Sequence, residues 1–139
     1  MIVIDTIVNE VETYVNEARE ISIKYKLPEV CTEVLLYAML DNKNLSVYQQ
    51  LKELGVNTIG MKIDLAKKIN AKAAPVSAPI MAHSNALTGL LFLNGGHTNG
   101  TRLLQTILIN QNTAAARMLN ANLVKLDKYG KVIYTPENN

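Results

Sequence analysis

At 139 residues the chain fits one domain and leaves no room for a recognition module beside a full catalytic engine. Its residues are 48% hydrophobic but only 5% aromatic, with no Trp and Phe92 as the single Phe, which favours helix-on-helix packing of Leu, Ile, Val, Met and Ala. A formal net charge of +2 is too small to imply nucleic acid, which requires a concentrated basic face, and no nucleic-acid partner is expected.

The opening MIVIDTIVNE carries Asp5 and Glu10 where a secretory signal carries Lys or Arg, and no apolar run approaches the ~18 residues of a membrane span. Cys31 is alone, so neither an internal disulfide nor a thiolate metal site forms, and a cytoplasmic setting is expected. Ile4, Ile7, Val8, Val11, Val15 and Ala18 step by three or four, opposite Asp5, Asn9, Glu12, Asn16, Glu17 and Glu20. This spacing predicts a long amphipathic helix from about Asp5 to Lys26, ended by Pro28. A second helix begins at Thr32, whose hydroxyl is suited to cap free amides, with Glu33 complementing the dipole. Its body, Val34 to Leu40, is apolar nearly all round and belongs in the interior.

After the polar loop Asp41 to Asn44, Ser46 and Gln49 have capping-box spacing and open a third helix, which Gly55 stops. A fourth helix takes Ile59, Ile63, Leu65, Ala66 and Ile69 as its apolar set, with Lys62, Lys67, Lys68 and Lys72 beside Asp64 as a solvated face. Residues 71–79, AKAAPVSAP, read as a linker between repeat one (about 4–70) and repeat two (about 80–123). The repeat rests on CTEVLLYAML at 31–40, which lines up with GTRLLQTILI at 100–109. A short polar loop and a second short helix follow each. HSNALTGLLFLNGGHTNG stands where the long first helix stands in repeat one, and residues 124–139 read as a polar, aperiodic tail.

Few residues invite chemistry. Gly55 to Lys62 lacks the Gly-Lys-Ser/Thr ending of a phosphate loop. The glycine-rich stretch 94–101, NGGHTNGT, has the makings of an anion-binding turn at a helix start, although such stretches are more often plain loops. His83 and His97 lack metal-ligand spacing, and Cys31 before a helix reads as small packing. The sequons at Asn44 and Asn99 carry no weight without a secretion signal.

The Thr-Glu start, apolar helix (TEVLLYAML), polar loop and helix ending Leu-Gly-Val (LKELGVN) resemble the N-terminal domain of Clp-type protein unfoldases. The family's usual Gly-Thr-Glu-His start stands here as Cys31-Thr32-Glu33-Val34 and again as Gly100-Thr101-Arg102-Leu103, the second preceded by Gly96-His97. Leu126 to Gly130 resembles the hinge that leads into the first ATPase ring.

The resemblance implies an all-α, pseudo-twofold bundle of two four-helix repeats, the second degenerate, which docks substrates or adaptor proteins for the ring. It implies no catalysis, no cofactor, no nucleic-acid or membrane partner, and an isolated domain that is monomeric. In some members the acidic residue of each start helps bind phosphorylated arginine. Thr32 and Glu33 keep that pattern, whereas Thr101 and Arg102 reverse its charge. Two alternatives stand beside this reading: a stand-alone accessory regulator of a Clp complex, and a small helical enzyme or ligand-binding protein using loop 94–101.

Overall fold

The computed structural model describes residues 9–73 and 82–136, so Asp5, the apolar positions Ile4, Ile7 and Val8, and linker positions 74–79 lie outside the described residues. Helix α1 (Glu10–Lys24) starts at Asn9, whose side chain accepts from the Glu12 amide at 2.9 Å. Its inward residues are Tyr14, Ala18 and Ser22. The helix ends two residues before the expected Lys26, and Pro28 is not what stops it. Lys26 takes a left-handed turn (φ 55°) and donates to the Ile23 carbonyl at 3.2 Å, while Leu27 donates to that of Ser22 at 2.9 Å. Those two bonds satisfy the carbonyls at the helix end, and buried Leu27 seals the turn.

Helix α2 (Thr32–Asp41) is buried along nearly its whole length, as its apolar sequence predicts. Thr32 does not cap it; Cys31 holds the cap position without a side-chain bond. The Thr32 hydroxyl instead accepts from the Ala115 amide at 3.2 Å, in the first turn of a helix from the other half. Helix α3 (Ser46–Leu54) likewise forms no Ser46–Gln49 box. The Glu10 carboxylate accepts from the Ser46 amide at 2.8 Å and its hydroxyl at 2.7 Å. Gly55 stops α3 as predicted, at φ 91°.

Helix α4 (Thr58–Ala71) is capped by Asn57, which accepts from the Gly60 amide at 2.9 Å. That start sets the helix phase so that Thr58, Met61, Leu65 and Ile69 face inward. Ile59 and Ile63, expected in the apolar set, are 72% and 52% exposed.

Helix α5 (Asn85–Asn94) is capped by Ser84 and α6 (Gly100–Ile109) by Asn99, so Thr101 sits inside the first turn of α6 rather than capping it. Helix α7 (Ala114–Ala121) is capped by Thr113. The stretch expected as a tail folds back instead. Strands β1 (Val124–Leu126) and β2 (Val132–Tyr134) pair antiparallel, with Val124 opposite Tyr134 and Leu126 opposite Val132. Val124 and Val132 enter the core. Asp127 holds the turn, its carboxylate accepting from the Tyr129 and Lys131 amides at 2.8 and 2.9 Å.

The chain is thus mostly helical among its described residues, with one two-stranded sheet. Helix α2 packs against α1, α3, α4 and α7, and α6 packs against α3, α5, α7 and β1. Leu35, Leu36 and Met39 on α2, and Leu104, Ile107 and Leu108 on α6, are all at most 3% exposed. Where the first half has α4, the second has the hairpin. No helix among the described residues is long and apolar enough to cross a membrane.

Candidate functional site

The first half's start, Thr32 and Glu33, is turned inward. Glu33 is 4% exposed and its carboxylate meets Lys72 Nζ at 2.6 Å, just past the end of α4. Burial pushes the Glu33 carboxyl up, but the Lys72 hydrogen bond and its own backbone amide outweigh that and leave it below the ordinary value. Burial, with the Glu33 charge adding, pushes the Cys31 thiol up and disfavours its thiolate. Leu27, Pro28, Glu29, Cys31 and Lys72 border a cavity of about 270 Å³ here. The position expected to take a guanidinium therefore already holds the protein's own ammonium, and the Thr32 hydroxyl is engaged by Ala115. Lys72 was read above as part of a solvated face. Lys67, Lys68 and Lys72 all lie exposed, and Lys72 in addition pairs its ammonium with Glu33.

Thr101 and Arg102 stand apart. Thr101 Oγ1 donates to Asn99 Oδ1 at 2.7 Å, and Arg102 is exposed. Among the described residues no hydrogen bond or ion pair joins this pair to Thr32 or Glu33.

The glycine-rich stretch contains a genuine anion position, and the protein fills it itself. The Gly100 amide, at the first residue of α6, donates to Glu10 Oε1 at 2.8 Å. The same carboxylate serves the start of α3, so one side chain satisfies two helix N-termini. Burial pushes the Glu10 carboxyl up, yet the bonds from the Ser46 hydroxyl and the Gly100 and Ser46 amides bring it below its ordinary value. A Cβ on Gly100 would stand 2.9 Å from Tyr14 Cε2 and 3.0 Å from Ser46 Oγ, so only glycine allows this approach. Burial lifts the Tyr14 phenol to about 12. Glu10 carried no local sequence signal for this role, because both partners are remote in the chain.

His83 pairs with the Val30 backbone in a parallel bridge and lies 3.2 Å from Arg19 Nη2. The His97 carbonyl accepts from Asn94 at 3.1 Å. Neither joins a group of ligating side chains able to hold a metal ion among the described residues.

Several large apolar side chains also face solvent, and they gather at two grooves. One groove of about 310 Å³ lies between α2, α3 and α4, bordered by Tyr37, Tyr48, Ile59 and Ile63. A second, of about 510 Å³, lies between α5 and α6, where Leu93 is 62% and Ile109 67% exposed. Ile109 corresponds in the repeat to Leu40, which is 1% exposed because α4 packs over α2; the hairpin gives Ile109 no such cover. Phase and cover decide both exposures, and neither is visible in composition.

Fold and surfaces together define a predominantly helical domain whose Glu10 and Glu33 carboxylates are engaged internally, with one mainly apolar groove and a second of mixed lining. No protein-family model matches the chain, and no curated protein matches it.

Proposed function

We propose that the chain is a protein-recognition domain that docks substrates or adaptor proteins for a Clp-type ATP-dependent unfoldase, in cis or in trans, and performs no chemistry itself. The observation that carries this reading is reciprocal packing. Helix α2 of the first half lies against α7 of the second, and α6 of the second lies against α3 of the first. That exchange is what two copies of one short helical unit do when neither closes its own apolar face. The repeat 31–40 against 100–109 supplies the sequence side of the same argument. The mainly apolar groove between α2, α3 and α4 suits a peptide segment better than a small polar substrate.

The reading is tested by replacing the N-terminal domain of a Clp-type unfoldase with this chain and following adaptor-dependent unfolding of a fluorescent substrate. Restored adaptor dependence is expected. An active ring that gains nothing from the graft, together with no binding of the free chain to the ring in anisotropy titrations, overturns it. The free chain is also expected to give no saturable heat with ATP in calorimetry, because its sequence has no phosphate loop.

A further inference from the structure

Ile59 and Ile63 stand one helical turn apart on the outer face of α4, 72% and 52% exposed, and Ala66 continues the stripe. They are not scattered surface residues, because they line the groove of about 310 Å³ together with Tyr37, Tyr48 and Leu40. The groove's lining contains two lysines, Lys43 and Lys62, and no carboxylate. Lys62 is fixed along one wall by Asp41 at 2.5 Å, and its ammonium stands 5.3 Å from the centre of the Tyr37 ring. Lys43 lies exposed on the loop between α2 and α3 and makes no ion pair among the described residues. An apolar floor with an unpaired cation at its rim fits one kind of visitor: an apolar side chain presented beside a carboxylate.

We propose that the groove between α2, α3 and α4 is a docking site for an acidic-hydrophobic peptide segment, whose apolar side chains cover Ile59 and Ile63 and whose carboxylate pairs with Lys43. This site rests on the reading of the chain as a protein-recognition domain, but not on which unfoldase it serves. A basic peptide would meet Lys43 as a like charge, and a wholly apolar one would cover Lys43 without pairing it. A second copy of the chain fits poorly for the same reason. A twofold contact through this face brings the lysines of α4 and Lys43 against their own images. A flat bilayer would leave the concave floor unfilled.

The test uses the full chain and a fluorescein-labelled synthetic peptide in which Leu and Phe alternate with Glu, with a counterpart carrying Lys in place of Glu. Saturable anisotropy is expected for the acidic peptide, at least about tenfold tighter than for the basic one, and weakening as salt rises. Both Ile59→Ser and Ile63→Ser are expected to weaken binding about tenfold, and Lys43→Glu to abolish the preference for acid. These side chains are exposed, so unchanged thermal midpoints show that the variants fold. Equal affinity for the two peptides, no saturable binding of either, or binding indifferent to Ile59 and Ile63 overturns the proposal. So does sedimentation showing a dimer, or flotation showing binding to phosphatidylserine vesicles, that disappears with Ile63→Ser while peptide binding is absent. A chain that binds an unfoldase ring but neither peptide removes only this site. A chain that binds the acidic peptide here and never meets a ring keeps the site and removes the unfoldase reading.

Discussion

Four carboxylates depart from their ordinary acidity in the folded chain, and their directions differ. Glu10, Glu33 and Asp41 are each held below the ordinary carboxyl value in the folded state, Glu10 and Glu33 against burial, and Asp41 chiefly by the Lys62 hydrogen bond. A lowered folded value means stability that is present above the unfolded value and is lost as pH falls through the folded one. Glu17 has the opposite sign. Burial pushes its carboxyl up, and Asp41 adds to that, so its ionisation opposes folding at neutral pH and its protonation removes that opposition. Urea midpoints are therefore expected to rise slightly as pH is lowered from 7 towards the carboxyl range, then to fall below it. In Glu17→Gln the rise is expected to vanish while the acid limb remains; an unchanged rise would assign it to another group. At Glu33 the partner matters more than the residue. Lys72→Ala leaves a buried carboxylate unpaired and is expected to cost about 1–3 kcal/mol by denaturant titration, because water reaches the half-exposed lysine end. In the proposed Clp-like reading an arginine-type ligand must displace Lys72. Phosphoarginine binding beside Thr32 and Glu33 is then expected to strengthen in Lys72→Ala, disappear in Glu33→Ala, and ignore Arg102→Ala. Binding that depends on Arg102 would place the pocket in the other half.

At the scale of the elements, most helices were legible from the sequence and most of their caps were not. The continuous apolar run Val34 to Leu40 has only one stable place, the interior, so α2 and its repeat partner α6 could be read directly. Gly55 was legible because few residues but glycine take φ 91° without strain. Thr32 and Ser46 failed as local caps because remote groups compete for their polar atoms: Ala115 takes the first and Glu10 the second. Ile59 and Ile63 were misplaced because an apolar set at helical spacing does not fix which of two neighbouring faces points inward; Met61 won that position. The hairpin 124–134 has strands too short to show alternation. Gly55→Ala is expected to cost about 1–2 kcal/mol from backbone strain alone, since the nearest atom to its new Cβ is 3.6 Å away. Gly100→Ala is expected to cost more, because contact with Tyr14 adds to the loss of the close approach to Glu10. Thermal melts that rank the two in reverse would contradict the geometry.

For the molecule as a whole, the two halves share one core rather than each owning one. Ending the chain after Leu123 would remove Val124 and Val132 from that core, each worth about 1.5–3 kcal/mol of buried apolar side chain. Such a truncation is expected to lower the melting point sharply, and a cooperative melt at the parent's temperature would show the hairpin to be dispensable. The bonds that join the halves also impose an order in time. Glu10 waits for Ser46, 36 positions on, and for Gly100, 90 positions on, while Thr32 waits 83 positions for Ala115. At ~5–20 residues per second of synthesis, α1 spends roughly 5–20 s on the ribosome before its second helix start exists. Over that interval α2 can already lie against α1, α3 and α4, but the side that α7 covers stays open until Ala114–Ala121 is made, so the nascent chain is expected to need shelter at that one face.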